Sequence, residues 1–218
     1  MDETATLAQG PTESLSVRIY ADLRMRLIVG DLKPGSPLSI RTLAEECNVS
    51  AMPVREALRQ LASEGALVGA AKKSYRVPNL STDEAANLFF VQSVLEGAAA
   101  EVATARATTS DFRILGKLKA AIEKAWIKQD ARGFLRENYR FHSHICSLTN
   151  NGALQSMIES LYVRTGPWLA YGILNLVKPD DWMGRYSEVI EAMKSRDAAK
   201  ARRLLENDAL WGMSLYRH

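Results

Sequence analysis

From Ser14 onward, apolar side chains return at Leu15, Ile19, Leu23 and Leu27, a four-residue step that predicts an amphipathic helix. That helix stops at Gly30-Asp31, and Lys33-Pro34-Gly35 reads as a turn. Ser39 is placed as the N-cap of a short helix, Ile40 to Cys47, ended by a tight turn at Asn48-Val49. Ser50 caps a third helix that runs to Glu64, with Gly65 as its stop. Pro53 is tolerated in its first turn, where backbone N–H groups have no helical partner. Beyond Gly65 the period changes. Ala66-Leu67-Val68 and Tyr75-Arg76-Val77 are short β-type runs around residues 69–74, which predicts a hairpin closed by Pro78.

From Ser81 the pattern is helical throughout. Ser81-Thr82-Asp83-Glu84 forms a capping box, followed by Leu88, Val91, Leu95, Ala98 and Val102 at helical steps. Further helices are expected over residues 110–127, 131–149, 153–173, 179–195 and 197–216, with a kink at Pro167. Turn signals at Asn150-Asn151-Gly152, Lys178-Pro179-Asp180 and Arg196-Asp197 separate them. The expected fold is mainly α: an N-terminal winged helix-turn-helix with a small β-hairpin wing, then an all-helical bundle of six to seven helices. The corresponding boundaries are a flexible tail over 1–13, the winged domain over 14–78, a linker over 79–81 and the helical domain over 82–218. Leu80-Ser81-Thr82 is the expected relay between the two domains.

The third helix carries the functional signal. At 100° per residue, Val54, Ala57, Leu58 and Leu61 share one side, and Ala51, Met52, Arg55 and Arg59 share another. An apolar back and a cationic front near the N-terminus suit a recognition helix in the major groove of DNA. Arginine pairs bidentately with guanine or holds a phosphate, and the Ser50 hydroxyl beside free helix N–H groups suits a phosphate oxygen. Lys72 and Lys73, at the hairpin tip, are placed along the DNA backbone or minor groove. Charge distribution agrees: residues 15–78 hold ten Lys and Arg against six Asp and Glu, although the whole chain is only +3.

Composition narrows the remaining classes. Of 218 residues, 47% are hydrophobic and 24% charged, an ordinary balance for a chain with a packed core. No run of about 18 apolar residues occurs, so no membrane span is expected. The acidic, polar start lacks a signal pattern, and a cytoplasmic location follows as the expectation. Cys47 and Cys146 form no paired motif, and both are expected to be buried free thiols in helices. No nucleophile–base–orienter pattern, P-loop or dinucleotide fingerprint is present, so no enzyme is expected. Two rivals stay open: a metal- or ligand-binding enzyme-like helical domain with an incidental winged domain, and a protein-interaction winged helix.

The segment LAEECNVSAMPVREALRQLASEGALV resembles the recognition unit of GntR-family regulators, through Leu43-Ala44, Val49-Ser50, the run from Pro53 to Leu58, Leu61 and Glu64-Gly65. By that resemblance Arg41, Arg55 and Arg59 contact operator DNA, and Ser50, Met52 and Pro53 complete the candidate DNA-binding residues. Ala51 departs from the family, where a further Arg is common. The second half is similar to the ligand-binding FCD domain of the FadR-like branch, through Val94-Leu95-Glu96, Ala99-Ala100, Asn138 to His142, Asn151, Leu154 and residues 189–193. This likeness implies a homodimer controlled by a small-molecule effector, with relief of repression by a carboxylate metabolite the expected pattern. Many such domains hold a divalent metal, zinc or nickel, through one Asp and three His. Those positions correspond here to Asn138, His142, Tyr186 and Asp208, a degenerate set from which no metal site is expected. Gln92, Asn138, His142, Arg164, Tyr186 and Asp208 are the candidate effector residues. Arg164 is expected to point inward to a carboxylate, and His144 to be exposed.

Overall fold

A computed structural model describes residues 14–70, 74–176 and 185–214. Ser14 caps α1 (Leu15–Ile28), its hydroxyl accepting from the Val17 N–H, and Ile19, Leu23 and Leu27 are buried as the four-residue step requires. Then come β1 (Pro37–Ser39), α2 (Ile40–Cys47) and α3 (Ala51–Ser63). Asn48 ends α2 at φ 52°, a left-handed conformation that Asn tolerates better than most residues. Gly65, at φ 72°, turns the chain away from α3 into β2 (Val68–Ala70) and β3 (Ser74–Arg76).

The wing differs from the sequence expectation in two respects. It is a three-stranded antiparallel sheet in the order β1-β3-β2, with Leu38 opposite Tyr75 and Gly69 opposite Tyr75 on the other side. Three residues next to a proline carry no period of their own, so β1 is visible only through the partner it pairs with. The hairpin strands are also shifted into residues 68–70 and 74–76, because Ala66 and Leu67 are both buried in the winged-domain core rather than paired.

The helical half consists of α4 (Thr82–Arg106), α5 (Thr109–Ile127), α6 (Ala131–Ser147), α7 (Gly152–Leu176), α8 (Arg185–Lys194) and α9 (Ala198–Ser214). Ser81 and Glu84 close the expected capping box on α4, and Thr108 with Asp111 close a second on α5. Pro167 lies inside α7, which continues through it to Leu176. The turn expected at 178–180 lies outside the described residues. Cys146 is buried as expected, but Cys47 is exposed, at the solvent-facing end of α2.

The halves share a core. Ile28, Leu27 and Val54 of the winged half belong to the same buried cluster as Ala99, Cys146, Ile158, Tyr162 and Val163 of the helical half. Contact between α1 and α7 is close enough to require glycine: at Gly166 the backbone of Leu27 and Ile28 fills the space a Cβ would need, and at Gly30 the Ala170 side chain does. Arg24 on α1 pairs with Glu159 on α7 at 3.2 Å, and Asp31 pairs with Arg132. The relay expected at residues 80–82 is therefore one connection among several.

Candidate nucleic-acid interface and effector site

The back of α3 is buried: Val54, Ala57, Leu58 and Leu61 face α1 and the rest of the winged core. Its front stands in solvent with Met52, Arg55 and Arg59, while Pro53 is half-buried in the first turn. Ser50 occupies the N-cap position, yet its side chain accepts no cap hydrogen bond. Arg41 extends from the first turn of α2, paired with Glu45 at 2.9 Å but 88% exposed. Arg41, Ser50, Ala51 and Arg55 line one cleft between α2 and α3. A negatively charged backbone laid in that cleft would meet two guanidinium groups, a hydroxyl and the first-turn N–H groups of α3. Lys72 and Lys73 lie outside the described residues.

A second constellation lies inside the helical half. Gln92 and Glu96 come from α4, Asn138 and His142 from α6, Tyr162 and Thr165 from α7, Tyr186 from α8 and Asp208 from α9. Spacings of three or four residues place each same-helix pair on one face. His142 lies at the centre, Nδ1 3.0 Å from Glu96 Oε2 and Nε2 3.2 Å from Asp208 Oδ2. One carboxylate therefore sits at ion-pair distance from each ring nitrogen. Burial pulls the imidazolium down; Glu96 and Asp208 outweigh it and push the His142 pKa up to about 10. The Tyr186 hydroxyl donates to Asn138 Oδ1 at 2.5 Å. Gln92 donates to Glu96 Oε1 at 3.0 Å and accepts from Thr165. Burial first, and the neighbouring carboxylates second, push the Tyr162 and Tyr186 phenols well above their ordinary range.

The space enclosed by these groups is about 20 Å³, walled further by Phe89, Phe134, Leu169 and Trp211. That is room for roughly one water, against the ~300–1,000 Å³ of an ordinary ligand pocket. Beside it lies a cavity of about 310 Å³ lined by Arg185, Tyr186, Val189, Leu205, Asp208 and Trp211. The two share Tyr186, Asp208 and Trp211.

Residues 15–77 match the bacterial regulatory proteins of the gntR family, and residues 87–208 match the FCD domain. The chain belongs to the GntR family. Its FCD domain is the helical half, and the resulting GntR regulator is similar to the HTH-type transcriptional regulator McbR of Escherichia coli (strain K12), 31% identical over 194 residues that span 88% of each chain. The solved structure of E. coli McbR/YncC agrees at a TM-score of 0.88 and 30% identity, covering 94% of this chain and 99% of that one. The HTH-type transcriptional repressor GlaR of the same strain is 26% identical over 204 residues, 88% of this chain and 90% of that protein. This GntR regulator is a sequence-specific DNA-binding transcriptional regulator and not an enzyme.

Within the GntR regulator, five of the six candidate effector residues meet: Gln92, Asn138, His142, Tyr186 and Asp208. Arg164 does not join them. Its stripe on α7 faces the junction of the two halves, where Arg164 covers Gly65 and shares a groove with Tyr20, Arg24 and Glu159. His144, expected to be exposed, is four-fifths buried against Asp111 at 3.2 Å. Glu96 was missed as a site residue; an acid on the stripe of α4 that otherwise buries Leu88, Phe89, Ala99 and Ala103 is the signal that marks it. Tyr162, Arg185 and Trp211 gave no such signal, since each reads as an ordinary helix residue.

The donor set does not fit a divalent metal. His142 turns one ring nitrogen toward each of two carboxylates on opposite sides, so the three groups do not aim at a common point. Asn138 Oδ1 is occupied by the Tyr186 hydroxyl, and that phenol is held neutral by burial. Among the described residues no group of three or more His, Cys, Asp and Glu is arranged to hold a metal ion.

Proposed function

We propose that this regulator represses transcription by seating α3 in the operator, with Arg55 and Arg59 reading bases and Arg41 and Ser50 holding phosphates, until a small molecule enters the FCD domain. The exposed Arg41–Ser50–Arg55 cleft in front of a wholly buried helix back carries this reading. The regulator works as a homodimer in the cytoplasm, so that two recognition helices meet a pseudo-palindromic site. Phe90, Val91, Val94 and Val102, all exposed on one face of α4 over roughly 18 Å of helix, form the surface offered to a second copy. The sensor operates without a divalent metal. Lys72 and Lys73 extend the DNA contact from the wing.

The test is fluorescence anisotropy on an operator selected from random-sequence DNA by the wild-type protein. Arg55→Ala is expected to cost about 1–3 kcal/mol and relax base preference at one position, whereas Arg41→Ala should weaken all sequences alike and lower the salt slope by about one. Unchanged affinity in Arg55→Ala would remove the assignment of α3 as the reading helix.

A further inference from the structure

If the FCD domain is the sensor, as proposed above, the charge of what it senses can be read from its outer wall. Arg185, the first residue of α8, lays its guanidinium over the Trp211 ring at 5.1 Å from the centroid, 4.0 Å from Asp208 Oδ1. A cation between an aromatic face and a carboxylate is the arrangement by which proteins hold organic cations. Here a surface arginine of the same chain fills it, and a 310 Å³ cavity opens on the same Tyr186, Asp208 and Trp211 walls.

We propose that the effector is a small organic cation, an amine or guanidine, whose charged head takes the place of Arg185 between Trp211 and Asp208. Charge balance supports the substitution. Arg185 is the permanent cation beside Asp208, 4.0 Å from its Oδ1, with Glu96 on the far side of His142. Displacing Arg185 removes that positive charge from beside the carboxylate, which a cationic head replaces and a carboxylate head opposes. Among the described residues lining the two cavities, Arg185 is the only lysine or arginine. Arg164, the expected partner of an acid, opens on a separate groove at the domain junction.

The experiment titrates the full-length protein by calorimetry and thermal shift with agmatine, putrescine and choline, and with succinate and malate at matched ionic strength. Operator affinity is followed in parallel. At least one cation is expected to bind and to raise the melting temperature, and the acids are expected to do neither. Arg185→Ala, at a partly exposed position, should tighten the cation by removing its competitor. Asp208→Asn should weaken it at least about tenfold through loss of one charge-assisted contact. Binding by an acid alone, silence from all three cations at millimolar concentration, or weaker cation binding in Arg185→Ala would each overturn the proposal. An acid that shifts operator affinity would leave the sensor standing and refute only the charge; a bound cation that leaves operator affinity unmoved would refute the sensor and keep the site.

Discussion

Gly166 offers a quantitative check on the joint between the two halves. A Cβ built there falls 2.6 Å from the Leu27 carbonyl oxygen, 2.7 Å from Ile28 Cα and 2.8 Å from the Ile28 oxygen. Unstrained carbon contacts lie at about 3.5–4.0 Å, so Gly166→Ala drives α1 and α7 apart by roughly an ångström. No side chain can rotate away, because all three atoms are backbone. Alanine gains about 1 kcal/mol of helix propensity in the interior of α7. Overpacking of a rigid contact costs about 1–3 kcal/mol, and the buried Leu27, Ile28 and Val163 lose part of their packing with it. The balance is a destabilisation of about 1–2 kcal/mol, which lowers the melting temperature by roughly 2–8 °C for a chain of this length. Gly116→Ala on α5 is the control: its Cβ meets nothing within 4 Å, so the propensity gain stands alone and the melting temperature rises. Differential scanning calorimetry on both variants decides. Should Gly166→Ala melt at or above the wild-type temperature, close packing does not hold α1 on α7 and the shared core is not what joins the halves.

Three further outcomes follow from the site and the surface. The His142 pKa, raised to about 10 from an unfolded value near 6.5, makes its contribution to stability complete below pH ~6.5 and lost as the pH climbs through about 10. Thermal melts across that window should therefore show wild-type stability falling with pH, before the buried tyrosines titrate, and a flat profile contradicts the buried ion trio. His142→Gln leaves Glu96 and Asp208 without their cation and is expected to cost about 3–5 kcal/mol, read from urea midpoints, while removing that pH dependence. Val94→Asp on the exposed α4 stripe should yield a monomer by light scattering and weaken operator binding with the DNA-facing residues intact; a dimer that persists moves the interface elsewhere.

The winged half was legible in the sequence wherever an element had a period or a cap. The 100° sorting of Val54, Ala57, Leu58 and Leu61 against Arg55 and Arg59 separates buried back from exposed front, because a single helix on one core has no other way to satisfy both sets. β1 was hidden because a three-residue strand is defined by Tyr75 and Arg76 across the sheet rather than by itself. In the helical half, Gln92, Asn138, His142, Tyr186 and Asp208 could be named from likeness and spacing. Their mutual arrangement depends on how α4, α6, α8 and α9 cross, which no local pattern encodes. Arg164 shows the cost: its stripe with Leu161 is real, but two surfaces compete for an α7 face, and the one toward α1 and α3 took it. Glu96 shows the opposite case, where one misplaced charge on an apolar stripe was a sufficient clue.

The 20 Å³ left between Glu96, Asn138, Tyr186 and Asp208 is too small for any ligand group in the packed arrangement of the helices. An effector that reaches the inner groups must wait for the helices to part, so its association is slowed by that opening. Equilibrium affinity is likewise diluted by the fraction of time the site stands open. Sensitivity to the signal can therefore be raised or lowered by substitutions such as those of Leu169 or Phe134, which trim the wall and alter the opening frequency without touching a polar contact.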